Sequence, residues 1–181
     1  MLMSVAELRR FVDTEEDDQV LEAKLQALEP SIRAYTNNNF QRVSYRREAD
    51  IVGGLFLVEA LTPFHEGDTV QITGSRYNDG LFTVAEVTDS TFTVLEDVVD
   101  EEGVLVTKVV YPDDVKMGAV NLMKWELNNR DKVGVSSETI SRHSVTYFDM
   151  NGDNSTMGYP KALLGFLKPH KKARFGQGLS V

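Results

Sequence analysis

The chain has 181 residues, of which 41% are hydrophobic and 26% charged, the composition of an ordinary globular protein with length for one domain or one domain carrying an insert. It has no cysteine, which excludes disulfides, thiolate metal sites and cysteine nucleophiles, and no apolar run approaches the roughly 18–20 residues of a membrane-spanning helix. The net charge of −9 is uneven: between Glu48 and Asp114 fifteen acidic side chains face only Arg76 and Lys108, whereas no acid follows Asp153.

The first residues, MLMSVAELRRF, lack the basic-then-apolar order of a signal peptide, so a cytoplasmic product is expected. Ser4 with Glu7 forms a capping box, followed at helical spacing by Val5, Leu8, Phe11 and Val12. Thr14 with Asp17 predicts the cap of a second helix whose buried stripe is Val20, Leu21, Leu25, Leu28, Ile32 and Tyr35. Pro30 inside it predicts a kink or a restart, and TNNNF ends it.

From Arg42 to Tyr111 the period changes to two. The runs DTVQITG, GLFTVAEV, STFTVLE and VLVTKVVY are β-branched and bounded by turn signals, which predicts an antiparallel module of about five strands. Asp79-Gly80 reads as a tight hairpin turn, TDSTF as a second, and DVVDEEGV as a longer acidic one. GGLF lacks the other glycines and the lysine of a phosphate loop.

Helical spacing returns after Pro112, with Asp113 and Asp114 in the first turn and Val115, Ala119, Leu122 and Met123 as the apolar stripe. A last helix opens at Pro160, buries Leu163, Leu164, Phe166 and Leu167, and is stopped by Pro169. The predicted fold is α+β: a helical bundle core of about four helices plus a β-hairpin, from residues 1–42 and 112–181, interrupted by a small antiparallel β module at 43–111.

The richest window for chemistry is KVGVSSETISRHSVTYFDMNGDN, residues 132–154. A serine hydrolase built on Ser141 or Ser144 with His143 is disfavoured, because residues two apart on a strand lie about 7 Å apart. No G-x-S-x-G elbow accompanies them. Asp149, Asn151 and Asp153 begin a calcium-loop pattern, but Asn154 stands where glycine is required and Pro160 where the bidentate glutamate belongs. His65, His143 and His170 show no ligand spacing, so neither metal nor cofactor is expected and the chain is read as a non-enzyme. Lys161, Lys168, Lys171, Lys172 and Arg174 make a basic tail. With a sequence pI near 4.8 it reads better as a segment docking into an acidic protein pocket than as a DNA-binding element.

Four stretches in this order, DDQVLEAKLQALEPSIRAYTNNNF, VKMGAVNLMKWELNNR, VSSETISRHSVTYF and GYPKALLGFLKPHKKARF, resemble the head–tail connector (adaptor) proteins that sit beneath the portal of long-tailed bacteriophages and prophages. The resemblance covers roughly residues 4–42 and 112–175, and its hairpin motif falls on Ser137, Glu138, Ile140, Ser144, Val145 and Tyr147. It implies a structural virion protein, made in the host cytoplasm and assembled at the head–tail interface as a ring of dodecameric type, monomeric when free. DNA passes nearby without specific binding. The implied partners are the portal protein, through an arm carrying Lys168, Lys171, Lys172, Arg174 and Phe175, and a stopper or tail-completion protein. A tail-completion or stopper protein of the phage neck is the alternative reading. The β module departs from small adaptors, which join their helical parts by a short linker.

Overall fold

A computed structural model describes residues 1–59, 63–130, 137–140, 143–146 and 153–173. The chain forms two compact units, Met1 with Asn39–Tyr111 and Leu2–Asn38 with Pro112–Val181.

The first unit is a closed barrel of six antiparallel strands: β1 (Gln41–Val52), β2 (Leu55–Val58), β3 (Thr69–Thr73), β4 (Gly80–Val87), β5 (Thr91–Val94) and β6 (Glu101–Val109). Their order around the barrel is β1-β2-β5-β4-β3-β6, and β6 closes on β1. Period-two alternation fixes which residues point inward. Ala49 and Ile51 on β1, Val70 and Ile72 on β3, and Val104 and Val106 on β6 are all buried. At the centre, Phe56 and Phe92 stack with centroids 4.5 Å apart, and Phe64 meets Phe92 edge-on at 5.1 Å. Each such side chain contributes about 1.5–3 kcal/mol through burial, so this unit carries a core of its own.

The expected helical bundle interrupted by a small β module is therefore incorrect. The structure has a closed six-stranded barrel, and only about a third of it is helical. The GG pair discarded as a phosphate loop is what the strand count missed. Gly53 and Gly54 have φ of 58° and 80°, the positive values that a two-residue hairpin turn requires, and they separate β1 from β2. Asp79-Gly80, in contrast, is no tight turn. Gly80 opens β4, and residues 74–79 form a longer loop in which Asp79 Oδ1 accepts the Ser75 amide at 2.9 Å. A short polar side chain closing a loop onto its own backbone competes with the tight turn.

The second unit contains α1 (Val5–Leu8), α2 (Asp18–Thr36), α3 (Asp113–Asn129), the hairpin β7 (Ser137–Ile140) and β8 (His143–Thr146), the short pair β9 (Ser155–Thr156) and β10 (Tyr159–Pro160), and a final 3₁₀ helix (Lys161–His170). Ser4 caps α1 as expected, its side chain accepting the Glu7 amide at 3.1 Å, yet the helix lasts one turn. Arg9 then gathers the chain, donating to the Asp18 carboxylate and to the carbonyls of Thr14 and Glu16, and Phe11 is left 45% exposed. Asp17, not Thr14, caps α2, accepting the Gln19 amide at 2.8 Å. The helix runs without a break through Pro30, because burial of Leu28 and Ile32 on either side outweighs the one hydrogen bond a proline removes. Pro169 likewise does not stop the last helix, which is 3₁₀ and ends at His170. Its Leu164 and Leu167 are buried, and the Phe166 ring lies over Gly118 of α3.

Candidate functional site

The end of α2 is where the sequence-predicted basic segment is held. Asn37 sits in the left-handed conformation (φ 49°, ψ 37°) and ends the helix, with the Asn38 amide donating to the Arg33 carbonyl at 3.2 Å. The side chains of the same asparagines then seize the tail. Asn38 Nδ2 donates to the His170 carbonyl at 3.1 Å and Asn37 Nδ2 to the Ala173 carbonyl at 3.0 Å, while the Lys172 amide donates to the Thr36 carbonyl at 2.8 Å. Lys171 Nζ stands 3.7 Å from the centroid of the Tyr35 ring, a cation–π contact at the negative end of the helix dipole. His170 Nε2 is 2.7 Å from Asp114 Oδ2 on α3; the hydrogen bond from His170 holds the Asp114 carboxyl below its ordinary value.

Residues 170–173 are thus seated by side-chain and main-chain bonds, and Lys168, Lys171 and Lys172 are exposed. Arg174 and Phe175, the rest of the expected arm, lie outside the described residues. By composition TNNNF reads only as a helix end. The missed signal is the asparagine run itself: one left-handed cap needs one asparagine, and the others are free to bond elsewhere.

Of the hairpin motif, the backbone register sets Ser137 opposite Thr146, Glu138 opposite Val145, Ser144 opposite Thr139 and Ile140 opposite His143. Tyr147, Ser141, Asp149 and Asn151 lie outside the described residues, so the hydrolase and calcium patterns have no geometry to weigh.

One polar cluster was not anticipated. Arg130, just after α3, lies within cation–π distance of the rings of Trp125 (5.0 Å) and Tyr159 (5.1 Å), which meet each other edge-on, pairs with Glu126 at 2.5 Å and donates to the Gly158 carbonyl at 2.9 Å. Lys24 approaches Glu126 at 3.4 Å. Burial pushes the Glu126 carboxyl up, but hydrogen bonding and charge from Arg130, with Lys24, overcome it and leave the group below its ordinary value. Burial, with the negative charge of Glu126, pushes the Tyr159 phenol up to about 12. The cluster lines a cleft of about 290 Å³. A carboxylate held ionised beside a phenol held protonated is poorly matched to proton transfer near neutrality, and the arrangement rivets the end of α3 to residues 158–160.

On the barrel, the β1–β2 turn, the β3–β4 loop and the β5–β6 loop share one end, and acids fix them there. Glu101 accepts the Ser75 hydroxyl, the amides of Arg76 (2.6 Å) and Tyr77 (3.4 Å) and the Asn78 side chain (3.0 Å). The Ser75 hydroxyl, then the Arg76 amide, hold the Glu101 carboxyl below its ordinary value. Buried Asn78 pairs with Val99 in both directions, donating to its carbonyl at 2.9 Å and accepting its amide at 2.8 Å. Asp100 accepts the Gly53 amide at 2.7 Å and Asp50 the Gly103 amide at 2.8 Å. Part of the acidic surplus is therefore structural, whereas Asp97 and Glu102 are exposed and make none of these bonds. A cleft of about 340 Å³ opens elsewhere on the barrel, where Arg46 and Arg47 stand near Glu48, Asp50 and Glu59. No family model and no curated protein matches the chain.

Proposed function

We propose that the protein is a head–tail connector, an adaptor that assembles as a ring beneath the portal of a long-tailed phage or prophage particle. In this reading the basic C-terminal arm engages the portal, a stopper or tail-completion protein attaches to the ring, and DNA passes without a specific grip. The work is assembly, and no chemical step is assigned to any residue. The observation that supports it most is the seating of residues 170–173 on the end of α2. Ordering a residue's backbone costs about 1–2 kcal/mol, so four residues held in advance spare the arm roughly 4–8 kcal/mol when it docks. An arm that leaves from a fixed point spends that entropy only on the residues beyond.

The seating also chooses the experiment. Cutting after Pro169 would remove the His170–Asp114 contact and the bonds to Thr36 and Asn38, mixing a folding effect with a binding one. Cutting after Ala173 spares all of them. The shortened chain is expected to keep the thermal midpoint of the full chain and to lose co-sedimentation with portal rings from the same genome. Binding retained by the shortened chain refutes a role for the residues beyond Ala173, Arg174 and Phe175 among them, and a full chain that never co-sediments with portal rings overturns the connector reading.

A further inference from the structure

The cleft of about 290 Å³ beside Glu126 has two unlike walls. One is apolar, made by Ala27 and Leu28 on α2 and by Met157 in the β9–β10 turn. The other is charged, made by Lys24, a turn earlier on the same face of α2, with Glu126 and Arg130. Glu126 is the one carboxylate lining the cleft, and its donors surround it already. Two nitrogens of Arg130 donate to it, Lys24 stands 3.4 Å away, and the Tyr159 hydroxyl joins them.

The cations are not used up in turn. A guanidinium has five N–H donors and an ammonium three. Arg130 spends two on Glu126, one on the Gly158 carbonyl and at most one on the Tyr159 oxygen, and Lys24 spends one on Glu126. At least one donor of Arg130 and two of Lys24 are therefore unclaimed among the described residues. The two side chains are 31% and 36% exposed, so part of their hydration is lost, and one carboxylate does not offset two cations. Met157 adds a second sign of purpose. It takes φ 58° at the first position of the two-residue turn between Thr156 and Tyr159, where glycine or asparagine sits without strain. The strained residue is the one that supplies a flexible thioether to the apolar wall.

We propose that this cleft binds a monocarboxylate with an apolar body, its carboxylate between Lys24 and Arg130 and its hydrocarbon against Ala27, Leu28 and Met157. A single negative charge matches the surplus of one, and a planar carboxylate suits a guanidinium. A phosphate monoester, at about −1.5 to −2, would exceed the surplus and stand against Glu126. A neutral apolar molecule would leave the spare donors desolvated and unpaired. The volume is at the small end for ligand sites, which fits a small free acid or the carboxyl-terminal residue of a peptide. Nothing in this site depends on the connector reading.

Trp125, the chain's one tryptophan, reports on the cleft, with its ring 5.5 Å from Tyr159 and 5.0 Å from Arg130. The test is titration of the full chain with 3-phenylpropionate at constant ionic strength, followed by Trp125 fluorescence and by the thermal midpoint. Saturation is expected near about 1 mM, the affinity of a ligand of about ten heavy atoms at ordinary efficiency. The alcohol 3-phenylpropanol, which keeps the body and lacks the charge, should bind at least about tenfold more weakly. Arg130 also holds the fold together, so Lys24→Gln carries the decision: it should keep the melt and lose at least about tenfold in affinity for the acid alone. Met157→Gly relieves the turn, so it should raise the thermal midpoint while weakening binding several-fold, opposite signs that a purely structural methionine does not give. N-acetylglycylphenylalanine, tested beside its carboxyl-terminal amide, separates the sources. If it binds tighter than phenylpropionate the ligand is a peptide terminus, if weaker a free acid, and either supports the site. No saturable change in fluorescence or midpoint with either acid overturns the proposal. So do equal binding of the alcohol, a folded Lys24→Gln chain that binds normally, or unchanged binding by Met157→Gly. Inorganic phosphate that competes as well as the acid overturns the carboxylate assignment.

Discussion

Gly118 of α3 lies beneath the Phe166 ring, and a methyl group there would sit 2.3 Å from the ring carbons, far inside contact distance. Gly118→Ala therefore sets two effects against each other. In a helix interior, alanine is favoured over glycine by about 1 kcal/mol. Against this, forcing a methyl into a filled space costs about 1–3 kcal/mol. The balance is a net destabilisation of about 1 kcal/mol, a several-fold shift toward the unfolded state. Removing the ring isolates the terms. In a Phe166→Ala background the clash is gone and Gly118→Ala becomes stabilising by about 1 kcal/mol, so the two changes couple by about 2 kcal/mol. Trp125, the chain's one tryptophan, lies on α3 with its ring 5.5 Å from Tyr159, so its fluorescence in urea reports this unit directly. Additive effects, or a stabilising Gly118→Ala with Phe166 intact, would refute the close approach of α3 and the final helix.

Phe92→Ala empties the centre of the barrel between Phe56 and Phe64 and is expected to cost about 3–5 kcal/mol in urea unfolding followed by β-sheet circular dichroism; a loss below about 1 kcal/mol would contradict the stacked core. Tyr159 keeps its proton to about 12 in the folded chain, whereas an unfolded tyrosine loses it near about 10. Its contribution is thus complete below about 10 and disappears as pH rises toward about 12, so tyrosinate absorbance should show one late step that Tyr159→Phe abolishes. Glu101→Gln removes the charge that four donors share, and amide exchange at Arg76 and Tyr77 should quicken while Glu102→Gln leaves it unchanged. Equal exchange in the two variants would rule out the latch. The lowered Glu101 carboxyl gives the same sign on acidification: the latch holds above the ordinary carboxylate range and is lost as pH falls through the folded value.

Features decided within a few residues were readable in advance. Ser4 announces its own cap, the alternation in β3 and β6 marks which residues point inward, and the two acids after Pro112 mark the start of α3. What escaped depends on residues far apart in the chain. The closing of β6 onto β1 sets Arg46 beside Thr107 on the neighbouring strand, sixty-one residues on, and no local pattern distinguishes a closed sheet from an open one. The length of α1 is set by Arg9 reaching forward to Asp18 and not by its cap. Asp79-Gly80 has the composition of a tight turn, but Glu101, some two dozen residues later, supplies the acceptors that favour a wider loop. The arm's base was visible as charge, while the residues that hold it, Asn37 and Asn38, looked like nothing more than a helix end.

The acidic surplus changes meaning once its members are sorted. As a bulk property it suggests a surface that repels passing DNA. Residue by residue, Asp50, Asp68, Asp79, Asp100 and Glu101 are already spent on amides, a lysine or a hydroxyl, and altering them would perturb loops before it perturbed any field. At the loop end of the barrel Asp97 and Glu102 carry charge without a structural duty, so they separate a role in the field or at a partner from a role in folding. Repulsion and docking then make opposite demands on the same two side chains. Neutralising a repulsive surface leaves assembly intact and alters DNA retention, whereas neutralising a docking surface weakens attachment of a partner before any DNA is present. The order in which those defects appear, in a chain whose melt is unchanged, decides which of the two the loop end serves.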